Sequence, residues 1–211
     1  MKIQQLVKIL DGCLVYHPRN ISGDCQISGI SCNSKTIGDN FVFVAVKGAS
    51  VDGRQFIDEA VSKGAKAIIL QGGKDNKPPK TNVPFIVVKD ARKALGRLSA
   101  EFYGYPSRQV KVIGITGTNG KTTVTYLIED ILKTAKLSAG VIGTINYRFK
   151  DKIIPSKNTT PGPVELQSML AKMQQEGVDY CAMEVSSHAL DQDRTEGIGF
   201  HSAIFTNFTQ D

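Results

Sequence analysis

Cysteine is scarce in this chain, and the four that occur are poorly spaced for joint work. Cys13, Cys25, Cys32 and Cys181 contain no Cys-x-x-Cys pair, which argues against zinc and against a disulfide framework. They read as reduced thiols, some of them buried. Long apolar runs are missing too, so no segment is fit to span a membrane. The start, Met1-Lys2-Ile3-Gln4-Gln5-Leu6-Val7-Lys8-Ile9-Leu10-Asp11, breaks its apolar positions with Lys and Gln. That is no signal peptide; it reads as a short amphipathic helix, and the protein as cytoplasmic. Basic runs are also absent. The formal charge of +6 is scattered along the chain with no aromatic–basic motif, so nucleic acid is not an expected partner. There are no internal repeats and no low-complexity segments. What remains is ordinary globular composition, 41% hydrophobic and 22% charged over 211 residues, enough for one or two domains with a real core.

The strongest signal is Gly114-Ile115-Thr116-Gly117-Thr118-Asn119-Gly120-Lys121-Thr122-Thr123. Before it, Val110, Val112, Ile113 and Ile115 form a β-branched run that predicts a buried strand. After it, Val124, Leu127, Ile128, Ile131, Leu132 and Ala135 recur at helical spacing, so a helix opens near Lys121. Strand, glycine-rich turn and helix are what a phosphate-binding loop needs. Glycine lets the backbone approach the anion, and the N–H groups at the helix start point at it. Lys121 would place a positive charge at the β- and γ-phosphates, and the Thr122 hydroxyl would reach Mg²⁺. The usual pattern wants glycine five residues before Gly120, where Ile115 stands; Gly114 and Gly117 flank that position instead.

The first hundred residues alternate short apolar runs with helical patterns. Ile27–Ile30, Phe41–Val46, Ala67–Leu70 and Phe85–Val88 read as strands, and Phe56, Ile57, Ala60 and Val61 as one helix face. Ala91 to Tyr103 reads as a helix with Leu95 and Leu98 inward, and Gly72 to Pro84 as a loop. Gly104-Tyr105-Pro106-Ser107 breaks the pattern, which places a domain boundary there: a small α/β domain over 1–106 and a second over 107–211. In the second, Val141-Ile142-Gly143 is strand-like and Tyr147 to Ile154 fits a hairpin across Lys150-Asp151. Thr159-Thr160-Pro161-Gly162-Pro163 leads into a helix carrying Leu166, Met169, Leu170 and Met173. Tyr180–Val185 reads as a buried strand, and Ala203–Thr206 as another. The chain stops soon after that last strand, and a parallel sheet this short after its phosphate loop reads as a fragment.

Glu184, Ser186, Ser187 and His188 follow at the C-terminal end of a predicted strand, where open α/β sheets bind ligands. An acid there suits Mg²⁺, which pairs one or two carboxylates with substrate phosphates; an ordinary polar strand end fits the spacing equally well. A Ser–His hydrolase is the rival chemistry, but no Gly-x-Ser-x-Gly elbow is present. Asn158-Thr159-Thr160-Pro161 and Gln192-Asp193-Arg194 are polar clusters that read as turns on their own, although Arg194 has the forked donors to clamp a carboxylate or phosphate. His17 and His201 stand alone and read as structural, and Ser34 is unremarkable by itself.

Taken together these motifs resemble the Mur ligase family. Gly117-Thr118-Asn119-Gly120-Lys121-Thr122-Thr123 is similar to its ATP loop, shifted glycine included. Asn158–Pro161 and Met183-Glu184-Val185-Ser186-Ser187-His188-Ala189-Leu190, with Gln192 and Arg194, are similar to the branch that adds the third residue of the peptidoglycan stem peptide. Asn33-Ser34-Lys35, Phe43–Gly48 and Asp52-Gly53-Arg54 resemble that branch's UDP-binding domain, departing from it at Asn33 and Lys35, where Asp and Arg are usual.

The resemblance implies an N-terminal UDP-sugar-binding domain followed by an incomplete P-loop-type, parallel-sheet ATPase domain. It implies an ATP- and Mg²⁺-dependent amide ligase that activates the D-Glu carboxylate of UDP-N-acetylmuramoyl-dipeptide as an acyl phosphate. The amine of L-lysine or meso-diaminopimelate then attacks. By position, Gly117, Thr118, Asn119, Gly120, Lys121, Thr122 and Thr123 would bind ATP. Thr122 and Glu184 would hold the metal, with Lys121 and Glu184 catalytic. Ser34, Asn158, Thr159, Thr160, Ser186, Gln192 and Arg194 would hold the UDP-sugar dipeptide. The partners are small molecules only, and the protein acts as a monomer. Family members continue past this point with a carbamoylated lysine and a C-terminal domain, so the 211 residues alone are expected not to ligate. The competing expectations are a non-catalytic nucleotide- or UDP-sugar-binding module and a sister ligase, such as one adding D-Ala-D-Ala or a folate polyglutamylating enzyme.

Overall fold

A computed structural model describes residues 1–10, 14–16, 26–48, 51–72 and 79–209. Cys13, Cys25, His17 and residues 73–78 of the expected loop lie outside the described residues. The chain forms two compact α/β units, Met1–Phe102 and Tyr103–Asp211.

In the first unit the elements run α1 (Ile3–Ile9), β1 (Leu14–Tyr16), β2 (Gly29–Ser31), β3 (Phe41–Ala45), α2 (Ile57–Ser62), β4 (Ala65–Gln71), β5 (Phe85–Val88) and α3 (Ala91–Phe102). Among the described residues the sheet has the order β1-β5-β4-β3-β2. β2 to β5 are parallel, and β1 adds antiparallel to β5. The apolar runs in β3 and β4 are continuous because both faces of the sheet are covered. Phe43, Ala45, Ile68 and Leu70 pack with Ile57 and Ala60 of α2, while α3 covers the other face and is itself packed against α1. The amphipathic start is as expected, with Ile3, Leu6 and Leu10 buried. β1 was not expected; three residues are too few for a period to register.

The second unit runs β6 (Lys111–Thr116), α4 (Lys121–Thr134), β7 (Ala139–Ile142), β8 (Asn146–Phe149), β9 (Lys152–Pro155), α5 (Pro163–Gln175), β10 (Tyr180–Glu184), α6 (Ser187–Asp191) and β11 (Phe200–Phe205). Its strand order is β11-β6-β10-β7-β8-β9 among the described residues. The first four are parallel, and β8–β9 is an antiparallel hairpin added to β7, turning at Lys150 (φ +50°). The sheet is therefore mixed rather than wholly parallel. Leu166, Leu170 and Met173 of α5 pack with Tyr147, Phe149, Cys181 and Met183. Each such side chain contributes roughly 1.5–3 kcal/mol on burial. Burial also pushes the Cys181 thiol up to about 12, which keeps it an inert apolar filler.

One expectation needs correction, and one helix turns in an unforeseen way. β11 is not a buried strand: among the described residues it pairs on one side only, with β6, and almost all its side chains lie exposed, Phe205 at 64%. An edge position gives a strand half the cover of an inner one. Nor does the apolar stripe of α4 face the sheet throughout. Leu127 and Ile131 are 56% and 66% exposed, while Thr125, Glu129 and Leu132 turn inward. Glu129 turns toward Arg148 on β8, whose guanidinium meets it at 2.5 Å, bonds Asn146 Oδ1 at 2.8 Å and lies 4.2 Å from the Tyr126 ring centre. A half-buried cation needs its carboxylate opposite it.

Candidate active site

β6 runs out at Thr116 into the glycine-rich loop, and α4 begins at Lys121. Gly117 sits at φ +130°, and a Cβ there would run into the Thr206 hydroxyl. Only glycine fits that backbone and that neighbour. The far side of the loop is braced by residues just past β11. Thr118 N donates to Asn207 O at 3.0 Å and Asn119 N to Asn207 Oδ1 at 3.1 Å. Asn119 O in turn accepts from Thr206 Oγ1 at 2.7 Å and Asn207 Nδ2 at 3.2 Å. Thr206 and Asn207 carry no motif that marks them as partners of the loop. The available signal is the parallel pairing of β11 with β6, which sets Phe205 opposite Thr116 and so brings both strand ends together.

This bracing narrows the anion cradle. The amides of Thr118 and Asn119 are spent on Asn207. Those of Gly120, Lys121, Thr122 and Thr123 make no hydrogen bond among the described residues. They are the free donors that open any helix, carrying its partial positive charge. Lys121 Nζ folds over the loop, donating to Gly117 O at 2.7 Å and Thr118 O at 3.0 Å.

Beside the loop stands Glu184, 2% exposed at the end of β10. Register places it opposite Ile115 of β6, while its neighbour Met183 faces Ile142 of β7. The segment leaving β7, Gly143-Thr144, thus arrives at the carboxylate. Thr144 N donates to Oε1 at 3.1 Å and Thr144 Oγ1 to Oε2 at 2.8 Å. A Cβ on Gly143 would push the carboxylate aside, so glycine here lets the backbone approach it. Among the described residues the Glu184 carboxylate meets these neutral donors and no cationic side chain. A buried carboxylate without a countercharge is costly, and a bound cation offsets that cost. Among the described residues no cluster of three His, Cys, Asp or Glu could hold a metal alone. A cation here would therefore share its sites with hydroxyl, water and phosphate oxygens, as Mg²⁺ does. Thr122, half-buried in the first turn of α4, supplies a hydroxyl. The donor set fits Mg²⁺.

Further polar residues gather near the backbone of Glu184 and along the segment 158–160. Thr160 is fully buried; its Oγ1 donates to Glu184 O at 2.9 Å and accepts from Ser186 N at 3.1 Å. Thr159 Oγ1 lies 3.1 Å from Thr144 Oγ1. The buried Tyr147 hydroxyl donates to Asn158 O at 2.6 Å and accepts from Asn158 N at 3.2 Å. Arg194 directs Nη1 to Thr160 O at 2.9 Å and holds Gln192 Oε1 through Nε at 3.1 Å and Nη2 at 2.8 Å. Each Nη keeps a second N–H to offer. Ser186 caps α6, its Oγ accepting from Ala189 N at 3.2 Å, and no side-chain hydrogen bond joins it to His188 among the described residues. Nothing supports the Ser–His alternative. Thr159, Thr160, Ser186, Gln192 and Arg194 thus sit in one network that includes Glu184, while Asn158 is held separately by Tyr147. Thr160 spends its hydroxyl inside the fold, and Tyr147 and Thr144 were not foreseen.

Ser34 belongs to the first unit. It opens a short 3₁₀ turn capped by Asn33, whose Oδ1 accepts from Lys35 N at 3.0 Å. Ser34 Oγ donates to Glu59 Oε2 at 2.7 Å, and Lys63 meets the other oxygen at 2.6 Å. The hydrogen bonds from Lys63 and Ser34 hold the Glu59 carboxyl below its ordinary range. Ser34, buried, has therefore used its proton on Glu59.

Two family models match the chain: "Mur ligase family, catalytic domain" over residues 26–103 and "Mur ligase middle domain" over 115–211. Among curated relatives, the UDP-N-acetylmuramoyl-L-alanyl-D-glutamate--2,6-diaminopimelate ligase of Clostridium tetani is 42% identical over 211 residues, covering 100% of this chain and 43% of the relative. The chain thus spans about two fifths of the length of the curated relatives it matches. A solved structure of a ligase of the same name superposes with a TM-score of 0.77 at 24% identity, over 100% of this chain and 41% of that one. The MurF ligase of Thermotoga maritima, solved in complex with ADP, gives 0.54 at 25% identity over 84% of this chain and 37% of that one.

Proposed function

Since the chain belongs to the Mur ligase family, we propose that it is the UDP-sugar- and ATP-binding portion of a ligase of peptidoglycan precursor synthesis. The ligase joins 2,6-diaminopimelate to UDP-N-acetylmuramoyl-L-alanyl-D-glutamate. The observation that carries this is Glu184, a buried carboxylate with only neutral partners among the described residues, set beside a phosphate-type loop at the C-terminal edge of the sheet. The names of relatives at 40–45% identity support the choice of substrates.

In this reading the D-Glu carboxylate attacks the γ-phosphorus of ATP, giving an acyl phosphate and ADP. The diaminopimelate amine then attacks the acyl carbon and phosphate leaves. The free amides of Gly120 to Thr123 and the Lys121 ammonium hold the phosphates, so the charge gathering on the transferred group is met by donors already in place. Thr122 and Glu184 hold Mg²⁺, which when bound neutralises phosphate charge. Arg194, Gln192, Ser186 and the 158–160 loop orient the dipeptide carboxylate toward that group, and Ser34 accepts from the uridine moiety. The protein works as a cytoplasmic monomer on small molecules. Among the described residues no helix is long and apolar enough to cross a membrane.

Calorimetric titration of the chain tests this. It should bind both Mg·ATP and UDP-N-acetylmuramoyl-L-alanyl-D-glutamate while forming no amide product by itself. Failure to bind ATP in the presence of Mg²⁺ would overturn the nucleotide site, and turnover by the 211 residues would overturn the division of labour.

A further inference from the structure

We infer that Thr144 is the positioning residue of the metal carboxylate, tying Glu184 to the loop proposed to hold the dipeptide. The inference rests on the Mg²⁺ reading of Glu184 and names a residue that reading does not contain. Both carboxylate oxygens of Glu184 are held by the same residue, one by the Thr144 amide at 3.1 Å and one by its hydroxyl at 2.8 Å. Two donors on two oxygens fix the carboxylate plane, and Gly143 lets the backbone come close enough to do it. The hydroxyl has one proton and a carboxylate can only accept, so that proton goes to Glu184. Thr144 Oγ1 also lies 3.1 Å from Thr159 Oγ1, a second acceptor within its reach, which links Glu184 to the 158–160 loop and leaves the remaining carboxylate lone pairs for a cation. The peptide end of Glu184 is tied to the same loop, because Thr160 bonds its carbonyl. Thr144 itself is exposed, so its hydroxyl is not required to fill a core, and a purely packing role is excluded for it. Partners of this kind orient metal ligands and typically govern ten- to a hundred-fold of metal affinity.

The test uses the whole chain and a fluorescent ATP analogue, measuring its affinity in EDTA and in Mg²⁺. The ratio of the two is the metal-dependent gain. Thr144→Val keeps the amide and the shape but loses the hydroxyl, and should cut that gain about tenfold while leaving affinity in EDTA unchanged. Thr144→Ser should retain the gain. Should Thr144→Val melt early by circular dichroism, Thr144→Ala against Thr144→Ser supplies the same comparison. A wild-type gain in Thr144→Val overturns the inference, and so does an equal loss of affinity in EDTA and in Mg²⁺, which marks a merely structural residue. Absence of any gain in the unsubstituted chain instead overturns the metal reading of Glu184, so the two failures are told apart.

Discussion

Replacing Glu184 with Gln separates two explanations of a buried carboxylate. If Glu184 is held for a cation, the metal-free protein bears a charge it would be more stable without. The amide is nearly isosteric, and its hydrogen bonds can be met. Oε1 still accepts from Thr144 N, and Nε2 can donate to Thr144 Oγ1 once that hydroxyl turns its proton to Thr159, 3.1 Å away. Removing the charge recovers part of a desolvation penalty of several kcal/mol, and weakening two charge-assisted bonds to neutral ones returns about 1–3 kcal/mol of it. A net gain of about 1 kcal/mol is expected, which for a unit of this size raises Tm by roughly 4–8 °C. The assay is thermal melting in EDTA without nucleotide, repeated in Mg·ATP. Saturating Mg·ATP at a hundred times Kd adds about 2.7 kcal/mol to the wild type and little to Glu184→Gln, so the order of stability reverses. Should Glu184→Gln prove less stable than wild type in EDTA by 1 kcal/mol or more, the carboxylate is a structural anchor for the Thr144 segment and the cation argument fails.

Three further outcomes are expected. Tyr147→Phe removes the two hydrogen bonds between Tyr147 and Asn158; it should cost about 1–2 kcal/mol in urea denaturation and weaken UDP-sugar dipeptide binding by calorimetry, with ATP affinity unchanged. Glu129→Ala leaves Arg148 half-buried without its countercharge and should cost about 3 kcal/mol, whereas Lys133→Ala, on the exposed side of the same carboxylate, should cost less than about 0.5 kcal/mol; equal losses would refute the assignment. Burial alone would raise the Glu129 carboxyl, but hydrogen bonds from Arg148 and Lys133 outweigh it and hold the group below its ordinary 4.5. The pair's contribution is thus fully present above pH 4.5 and disappears as pH falls through the lower folded-state value, which acid titration of wild type against Glu129→Ala will show. Asn207→Ala removes two bonds that brace Asn119, and nucleotide affinity should fall about tenfold, equivalent to about 1.4 kcal/mol; unchanged affinity would mean the loop holds its shape unaided.

Much of this was legible in the residues alone. The apolar runs at Phe41–Val46, Ala67–Leu70, Val110–Ile115 and Tyr180–Val185 became inner strands, because a strand covered on both faces must be apolar throughout. The glycine-rich loop was legible because its demands are local: Gly117 needs a left-handed backbone, and Lys121 to Thr123 need a helix to begin where they do. The hairpin across Lys150-Asp151 is equally local. Tertiary structure decided the rest, and in each case the partners lie far apart along the chain. Thr144 reaches Glu184 only because β7 and β10 are parallel neighbours, and Asn207 reaches the phosphate loop only because β11 pairs with β6. Parallel pairing gathers strand ends that sequence keeps distant, and no spacing rule records which strands will be neighbours. The rotation of α4 was undetermined for a related reason. Leu127 and Ile131 satisfy helical periodicity, but periodicity fixes that a helix forms, not which way it turns, and here Glu129 turns inward to meet Arg148.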